Sequence, residues 1–157
     1  MDSPKIATLG ELRKTDYKSE SIQQELAGNL RQRLIKGLST FDGLIGYENT
    51  VIPDIERALL SGHNINLLGL RGQAKTRIAR QMTELLNEWI PIVDGSEIND
   101  CPLSPISQEA KELISKKGEQ TPIKWLHRHD RFFEKLATPD VTVADLIGDV
   151  DLSLIHI

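Results

Sequence analysis

Asn64-Ile-Asn-Leu-Leu-Gly-Leu-Arg-Gly-Gln-Ala-Lys-Thr-Arg-Ile-Ala-Arg80 is the stretch from which the rest of this chain takes its meaning. It starts with a short apolar run, Ile65 to Leu68, that alternates poorly and stops at Gly69, as a buried parallel strand does. It turns through Gly69-Leu-Arg-Gly-Gln-Ala-Lys75-Thr76, after which Ile78, Ala79, Met82, Leu85 and Leu86 recur at three- and four-residue steps. That spacing predicts one apolar face of a helix. Strand, glycine turn, Lys-Thr and helix, in that order, are the layout of a phosphate-binding loop.

The residue types suit that chemistry. A triphosphate needs several backbone N–H groups converging on its oxygens, so the loop must bend tightly and carry little side-chain bulk. The start of the following helix adds unsatisfied N–H groups and a partial positive charge. Lys75 is expected to reach the β- and γ-phosphates, and the Thr76 hydroxyl to be a ligand of Mg²⁺. Ala74 stands where a glycine commonly precedes the lysine; its methyl group disfavours positive φ and makes the loop less permissive there. A chance glycine-rich match is the competing account, and the strand before and helix after weigh against it.

With 157 residues the chain has room for one domain with a real core. Apolar residues make up 39% and charged residues 27%, a globular balance, while aromatics at 4% predict an aliphatic core. A net charge of −4 gives no reason to expect nucleic acid or an anionic membrane as partner. No apolar run reaches transmembrane length, the start lacks the plan of a signal peptide, and Cys101 is the single cysteine. Together these predict a cytoplasmic location.

Residues 1–40 read as a helical N-terminal extension. Thr8 with Glu11 makes a capping box before a short turn over Leu9 to Lys14. A second helix starts near Ser19 or Ser21 and carries Ile22, Leu26, Leu30 and Leu34 at four-residue spacing. Arg31, Arg33 and Lys36 crowd its end and Gly37 stops it; they suit the helix dipole better than an anion site. Phe41 to Glu48 is a loop with apolar anchors, followed by a helix from about Thr50 to Leu60 with Pro53 in its first turn. Trp89-Ile-Pro-Ile-Val93 predicts a second strand, with Pro91 marking either an edge or a strand start. Asp94 to Pro105 is a loop, Ser107 to Lys117 a polar helix, and Thr121-Pro122 opens a further segment. Leu152-Ser-Leu-Ile-His-Ile157 is what CTG TCT CTT ATA CAC ATC encodes; that resembles a transposon end used in sequencing libraries. Residues 152–157 are therefore expected to be a non-native, adapter-derived tail, and the chain a truncated frame.

A wider resemblance follows once the phosphate loop is placed. Phe41-x-x-Leu-Ile-Gly-Tyr-Glu48, a helix, then Asn66-Leu-Leu-Gly-Leu-Arg-Gly-Gln-Ala-Lys-Thr76 resembles the start of an AAA+ ATPase module. Gly-x-Arg-Gly-x-Ala-Lys-Thr is similar to the form in the magnesium chelatase I-subunit and MoxR-like branch. Asp145-Leu-Ile-Gly-Asp-Val-Asp151 resembles a Leu-(Val/Ile)-Gly-x-x-Asp segment of that branch. The likeness spans about Phe41 to Asp151, most specific at the motifs and thin over Asp94 to Ala137. It implies an α/β fold with a three-layer P-loop NTPase core, incomplete over residues 41–151. It implies ATP and Mg²⁺ as cofactors, with Gly69, Leu70, Arg71, Gly72, Gln73, Ala74, Lys75, Thr76 and Arg77 at the phosphates. Leu44, Ile45 and Gly46 would border the adenine, unless they simply form a packed loop. Arg77, on the exposed helix start, has a solvated charge as its plainer account. The parent protein would be a ring-shaped homo-oligomer that couples ATP hydrolysis to remodelling of a protein partner of the chelatase or MoxR type.

No strand ending in Asp-Glu follows Leu146-Ile-Gly148, and a sensor residue, an arginine finger and a helical lid are also missing. Phosphoryl transfer depends on positioning and charge stabilisation, so this chain is expected to bind nucleotide weakly without hydrolysing it. A non-hydrolysing regulatory or adaptor module is the alternative, favoured by Ala74 and the absent carboxylates; a small-molecule kinase would need a lid of arginines. His127-Arg-His129-Asp130, even with Cys101, lacks zinc spacing and reads as a surface cluster, since residues two apart on a helix do not share a face. Asp140, Asp145, Asp149 and Asp151 lack calcium-loop spacing and read as a solvated loop.

Overall fold

The computed structural model describes residues 4–136 and 138–148. Asp149, Asp151 and the 152–157 tail singled out in the sequence lie outside them. Among the described residues the chain is mixed α/β, with helices around a two-stranded antiparallel sheet.

Among the described residues, side-chain capping places three of the six α-helices. Thr8 Oγ1 accepts the Glu11 N–H ahead of α1 (Leu9–Arg13), while the Glu11 carboxylate accepts the Ala7 N–H. Ser21 and Gln24 form a reciprocal capping box for α2 (Ile22–Ile35), so the second of the two expected starts is the real one. On α2, Leu30 is buried and Leu26 packs beside it, but Ile22 and Leu34 are exposed. The four-residue stripe drifts around the helix surface, because four residues exceed the 3.6-residue turn. α3 (Val51–Leu60) buries Ile55 and Leu59, with Pro53 in its first turn as the sequence predicts. α4 (Lys75–Met82) buries Ile78 and continues into a 3₁₀ turn, Thr83–Leu85.

These elements meet in one aliphatic cluster: Leu30, Phe41, Leu44, Ile55, Leu59, Ile78 and Leu85. Each such side chain contributes roughly 1.5–3 kcal/mol by leaving water. The N-terminal helix α2 therefore shares its core with α3, α4 and the 3₁₀ turn that follows. Polar ties reinforce this. Asn29 Nδ2 donates to the Leu85 carbonyl at 2.8 Å and to Asn87 Oδ1 at 2.9 Å. Glu25, 3% exposed, accepts the Asn87 N–H and a two-pronged pair from Arg131 at 2.7 and 2.6 Å.

β1 (Trp89–Val93) pairs with β2 (Ile123–His127), placing Pro91 opposite Trp125. Pro91 sits in the middle of β1 rather than at its start; it is tolerated because β1 has a ladder partner on one side among the described residues. The other side of β2 is met by the N-terminal run. Thr8 bridges Pro122, Ile123 N–H donates to the Ala7 carbonyl, and Trp125 Nε1 donates to the Ile6 carbonyl. α5 (Gln108–Lys117) lies between the strands in sequence and is capped by Ser107. α6 (Ala144–Ile147) closes the described chain.

One expectation fails. Residues 65–68 form no strand. Ile65 and Leu67 do pack on the aliphatic cluster, while Asn66 is exposed and Leu68 is 86% exposed. Burial alternates as in a strand, yet among the described residues no neighbouring strand offers a ladder: β1, the apolar run that follows α4, pairs with β2 instead. A strand needs a partner for its N–H and C=O groups, and apolar content alone does not supply one.

Candidate functional site

Residues 69–77 wrap the start of α4. Gly72 has φ +81° and Ala74 φ +55°, so Ala74 occupies the left-handed region immediately before the helix. An L-residue there costs about 1–2 kcal/mol relative to the right-handed region. Packing against the aliphatic cluster holds it in place, since Ala74 touches that cluster. Alanine disfavours positive φ, yet Ala74 adopts it here, so the loop takes this turn at the cost of local strain.

The N–H groups of Lys75, Thr76 and Arg77 have no acceptor within α4, because the first helical bond runs from Ile78 N–H to the Ala74 carbonyl. No side chain caps this helix start. The Lys75 ammonium turns back over the loop, donating to the Gly69 carbonyl at 2.9 Å and the Leu70 carbonyl at 2.5 Å. Gln73 crosses the same turn, its Oε1 accepting the Leu70 N–H at 2.8 Å. Gly69 has φ +155°, which L side chains rarely adopt, and a Cβ there would also displace the Gln73 side-chain oxygen. Thr76 is exposed on the first turn.

Residues 71–77 line an open depression of about 460 Å³. A second depression, about 310 Å³, shares Lys75 and Thr76 with the first and is bounded by Leu67, Ala79, Glu134, Lys135 and Leu136. Arg80 fixes that second wall with a fork to Glu134 at 2.7 and 2.9 Å. The hydrogen bond from Arg80 holds the Glu134 carboxyl below its ordinary value.

The structure separates the residues linked to adenine. Leu44 is 5% exposed within the aliphatic cluster, whereas Ile45 is 88% exposed and Gly46 sits in a turn beside it. None of the three borders the depression over residues 71–77. Arg77 is not merely a solvated charge. Its guanidinium donates to the Asp42 carbonyl at 3.0 Å, and Gln81 Nε2 donates to the same oxygen at 2.9 Å. Arg77 and Gln81 thus clamp the Phe41–Glu48 loop to α4 across 35 and 39 residues of sequence. No local periodicity signals a bond of that range; the four-residue spacing of two long polar side chains is the only sequence trace.

The weaker constellations resolve differently. His127 and His129 do come together, with ring centroids 4.9 Å apart and planes 22° apart. The helix spacing rule does not apply, because His127 ends β2 and His129 lies in a 3₁₀ turn, Arg128–Arg131. Trp89 meets His127 edge-on, and Glu84 binds Arg128 and lies 3.5 Å from His129. Among the described residues no group of three His, Cys, Asp or Glu side chains could hold a metal ion. Cys101 lies elsewhere, its thiol against Ser19 Oγ at 3.3 Å. Beside it, burial first and then the nearby Cys101 and Glu25 push Tyr17 up to about 12, keeping it a neutral phenol. Asp145 accepts from the Thr142 N–H and hydroxyl at 2.8 and 2.9 Å, which lowers its carboxyl.

No protein-family model matches this chain, and no curated protein or solved structure matches it at a significant level. Among the described residues, no helix is long and apolar enough to cross a membrane.

Proposed function

We propose that this chain is the ATP-binding part of an AAA+ ATPase similar to the magnesium chelatase I-subunit and MoxR-like proteins. The whole protein would couple ATP hydrolysis to remodelling of a partner protein, within a ring of identical subunits and on a three-layer P-loop core. One observation carries the proposal: an uncapped helix start, with Lys75 and Thr76 as its first two residues, lines one open depression formed by residues 71–77.

The donor set suits a polyphosphate. The free N–H groups of Lys75, Thr76 and Arg77 point out of the helix start, where the dipole favours an anion. Lys75 now satisfies its charge on two carbonyls, and an incoming phosphate is a stronger partner for the same ammonium. Mg²⁺ keeps much of its octahedral shell as water and phosphate oxygen, so one protein hydroxyl, that of Thr76, fits its needs. When bound, the ion would draw charge from the phosphate oxygens.

Hydrolysis is a different matter. Glu134 is a carboxylate bordering the depression next to Lys75 and Thr76, and both its oxygens are engaged by Arg80. A general base works best with a pKa near the operating pH, and Arg80 moves Glu134 the other way. The 157-residue chain is therefore expected to bind nucleotide without turning it over. If the whole protein also fails to release phosphate, the regulatory, non-hydrolysing alternative takes its place.

The test is titration of the purified chain with a fluorescent ATP analogue in the presence of Mg²⁺, alongside Lys75→Ala. Removing a charged hydrogen bond worth about 2 kcal/mol should weaken binding roughly 30-fold. Unchanged affinity in Lys75→Ala would refute the placement of the site.

A further inference from the structure

We infer that Lys135 is a second phosphate-binding ammonium, one that reads the terminal phosphate of the nucleotide held at Lys75 and Thr76. The inference rests on the nucleotide site proposed above and goes on to name the part of the ligand that Lys135 recognises.

Lys75 and Thr76 border both depressions, so the second one adjoins the end of the site where a β,γ-bridging lysine and a Mg²⁺-binding hydroxyl operate. Lys135 is far along the chain from Lys75 and reaches this place because of the fork between Arg80 and Glu134. Arg80 lies on α4 itself, so the wall that carries Lys135 is anchored to the same helix whose start binds the phosphates. Glu134 is neutralised by Arg80 and does not cancel the charge of its neighbour.

Lys135 is only loosely paired. Its ammonium lies 3.9 Å from Asp145 Oδ1, beyond hydrogen-bond length. The other Asp145 oxygen is already held by Thr142, by both its N–H and its hydroxyl. A dianionic terminal phosphate is a stronger partner than this loosely placed carboxylate. Lys135 is half-exposed on a flexible stem, so turning from Asp145 to the phosphate needs no backbone change.

The resulting prediction is selective. Loss of Lys135 should affect the triphosphate and spare the diphosphate, whereas Lys75 also reaches the β-phosphate, which both nucleotides carry. The experiment measures affinities of the 157-residue chain for Mg-ATP and Mg-ADP, with Lys135→Met, Lys135→Arg, Glu134→Gln and Lys75→Ala compared by titration. Far-ultraviolet circular dichroism checks that each variant is folded. Lys135→Met should weaken ATP about 10-fold and ADP less than about 2-fold, and Lys135→Arg should restore most of the ATP affinity. Glu134→Gln should fall between wild type and Lys135→Met for ATP alone, because it loosens the wall without removing the ammonium. If Lys135→Met changes both nucleotides equally, or neither, while Lys75→Ala still loses binding, the role of Lys135 is overturned and the site stands. If Lys75→Ala binds like wild type, the site itself is misplaced and Lys135 falls with it.

Discussion

Replacing Asp100 by asparagine removes a charge without changing shape, and its cost can be worked from the bonds the carboxylate makes. Asp100 is 4% exposed. Its Oδ1 accepts the Ile106 N–H at 2.6 Å and the Ser107 N–H at 3.0 Å. Its Oδ2 accepts the Ser96 hydroxyl at 2.7 Å and the Ser107 hydroxyl at 2.5 Å. Ser107 in turn caps α5 through the Ala110 N–H, and the Asp100 carbonyl accepts the Val93 N–H, so this one residue ties β1 to the start of α5. In the asparagine variant the amide oxygen can keep the two backbone N–H groups, and the hydroxyls can rotate to accept from the amide nitrogen. What disappears is charge assistance, about 1 kcal/mol for each of the two backbone bonds, or about 2 kcal/mol in all. Urea unfolding followed by the fluorescence of Trp89 and Trp125, one on each strand, should show a midpoint lowered by roughly 1 M.

The pH dependence makes the prediction specific. Burial pushes the Asp100 carboxyl up, but the bonds from Ser107, Ile106 and Ser96 together outweigh it and hold the group well below the usual carboxylate range. A depressed folded value means that this stabilisation is complete above the unfolded pKa of about 4 and is lost as pH falls through the folded value. The gap between wild type and Asp100→Asn should thus be constant from neutral pH to about pH 5. Below about pH 4 it should shrink, by at most about 1.4 kcal/mol per pH unit. A gap that stays the same from pH 7 to pH 3, or one below about 0.5 kcal/mol at pH 7, would refute the assignment of charge to these bonds.

Three further outcomes are expected. Arg131→Met leaves the Glu25 carboxylate buried without its cation and should destabilise the fold by about 3–5 kcal/mol; adding Glu25→Gln should recover a good part of that, as read by thermal unfolding. Ala74→Val places a β-branched side chain at φ +55° and should cost more than about 2 kcal/mol. Ala74→Gly should stay within about 1 kcal/mol of wild type in urea titration, because relieved strain is offset by lost methyl packing and a freer unfolded chain. Gly10→Ala drives a methyl group to within 2.9 Å of Glu119 Cβ and 3.1 Å of its carbonyl oxygen, and should lower stability by about 1–3 kcal/mol in the same assay.

Features set by a few adjacent residues are legible in the sequence itself. Thr8, Ser21 and Ser107 start helices because a hydroxyl reaches an N–H three residues on, and that geometry is complete within one turn. The glycine turn at Gly69 to Gly72 and the helix that starts at Lys75 belong to the same class, and both are legible in the sequence. Pro91 narrows β1 to an edge or a strand start, since proline lacks the donor a central strand needs, and the ladder to β2 decides for the edge among the described residues.

Tertiary structure decided which segments became partners. Ile65 to Leu68 has the composition of a strand, but strand identity depends on a ladder partner chosen from the whole chain, and β1 took β2. Arg77 became a clamp on Asp42, Glu134 a counter-ion for Arg80, and His127 a neighbour of His129 because distant segments converge there. Whether Leu44 faces a ligand or the core was likewise undetermined by its neighbours in sequence; the aliphatic cluster claimed it, and left Ile45 outside. Local hydrogen bonds are encoded at a spacing of three or four residues. Burial, pairing and charge partners are shared out among all the segments that compete for the same core, so only the folded chain settles them.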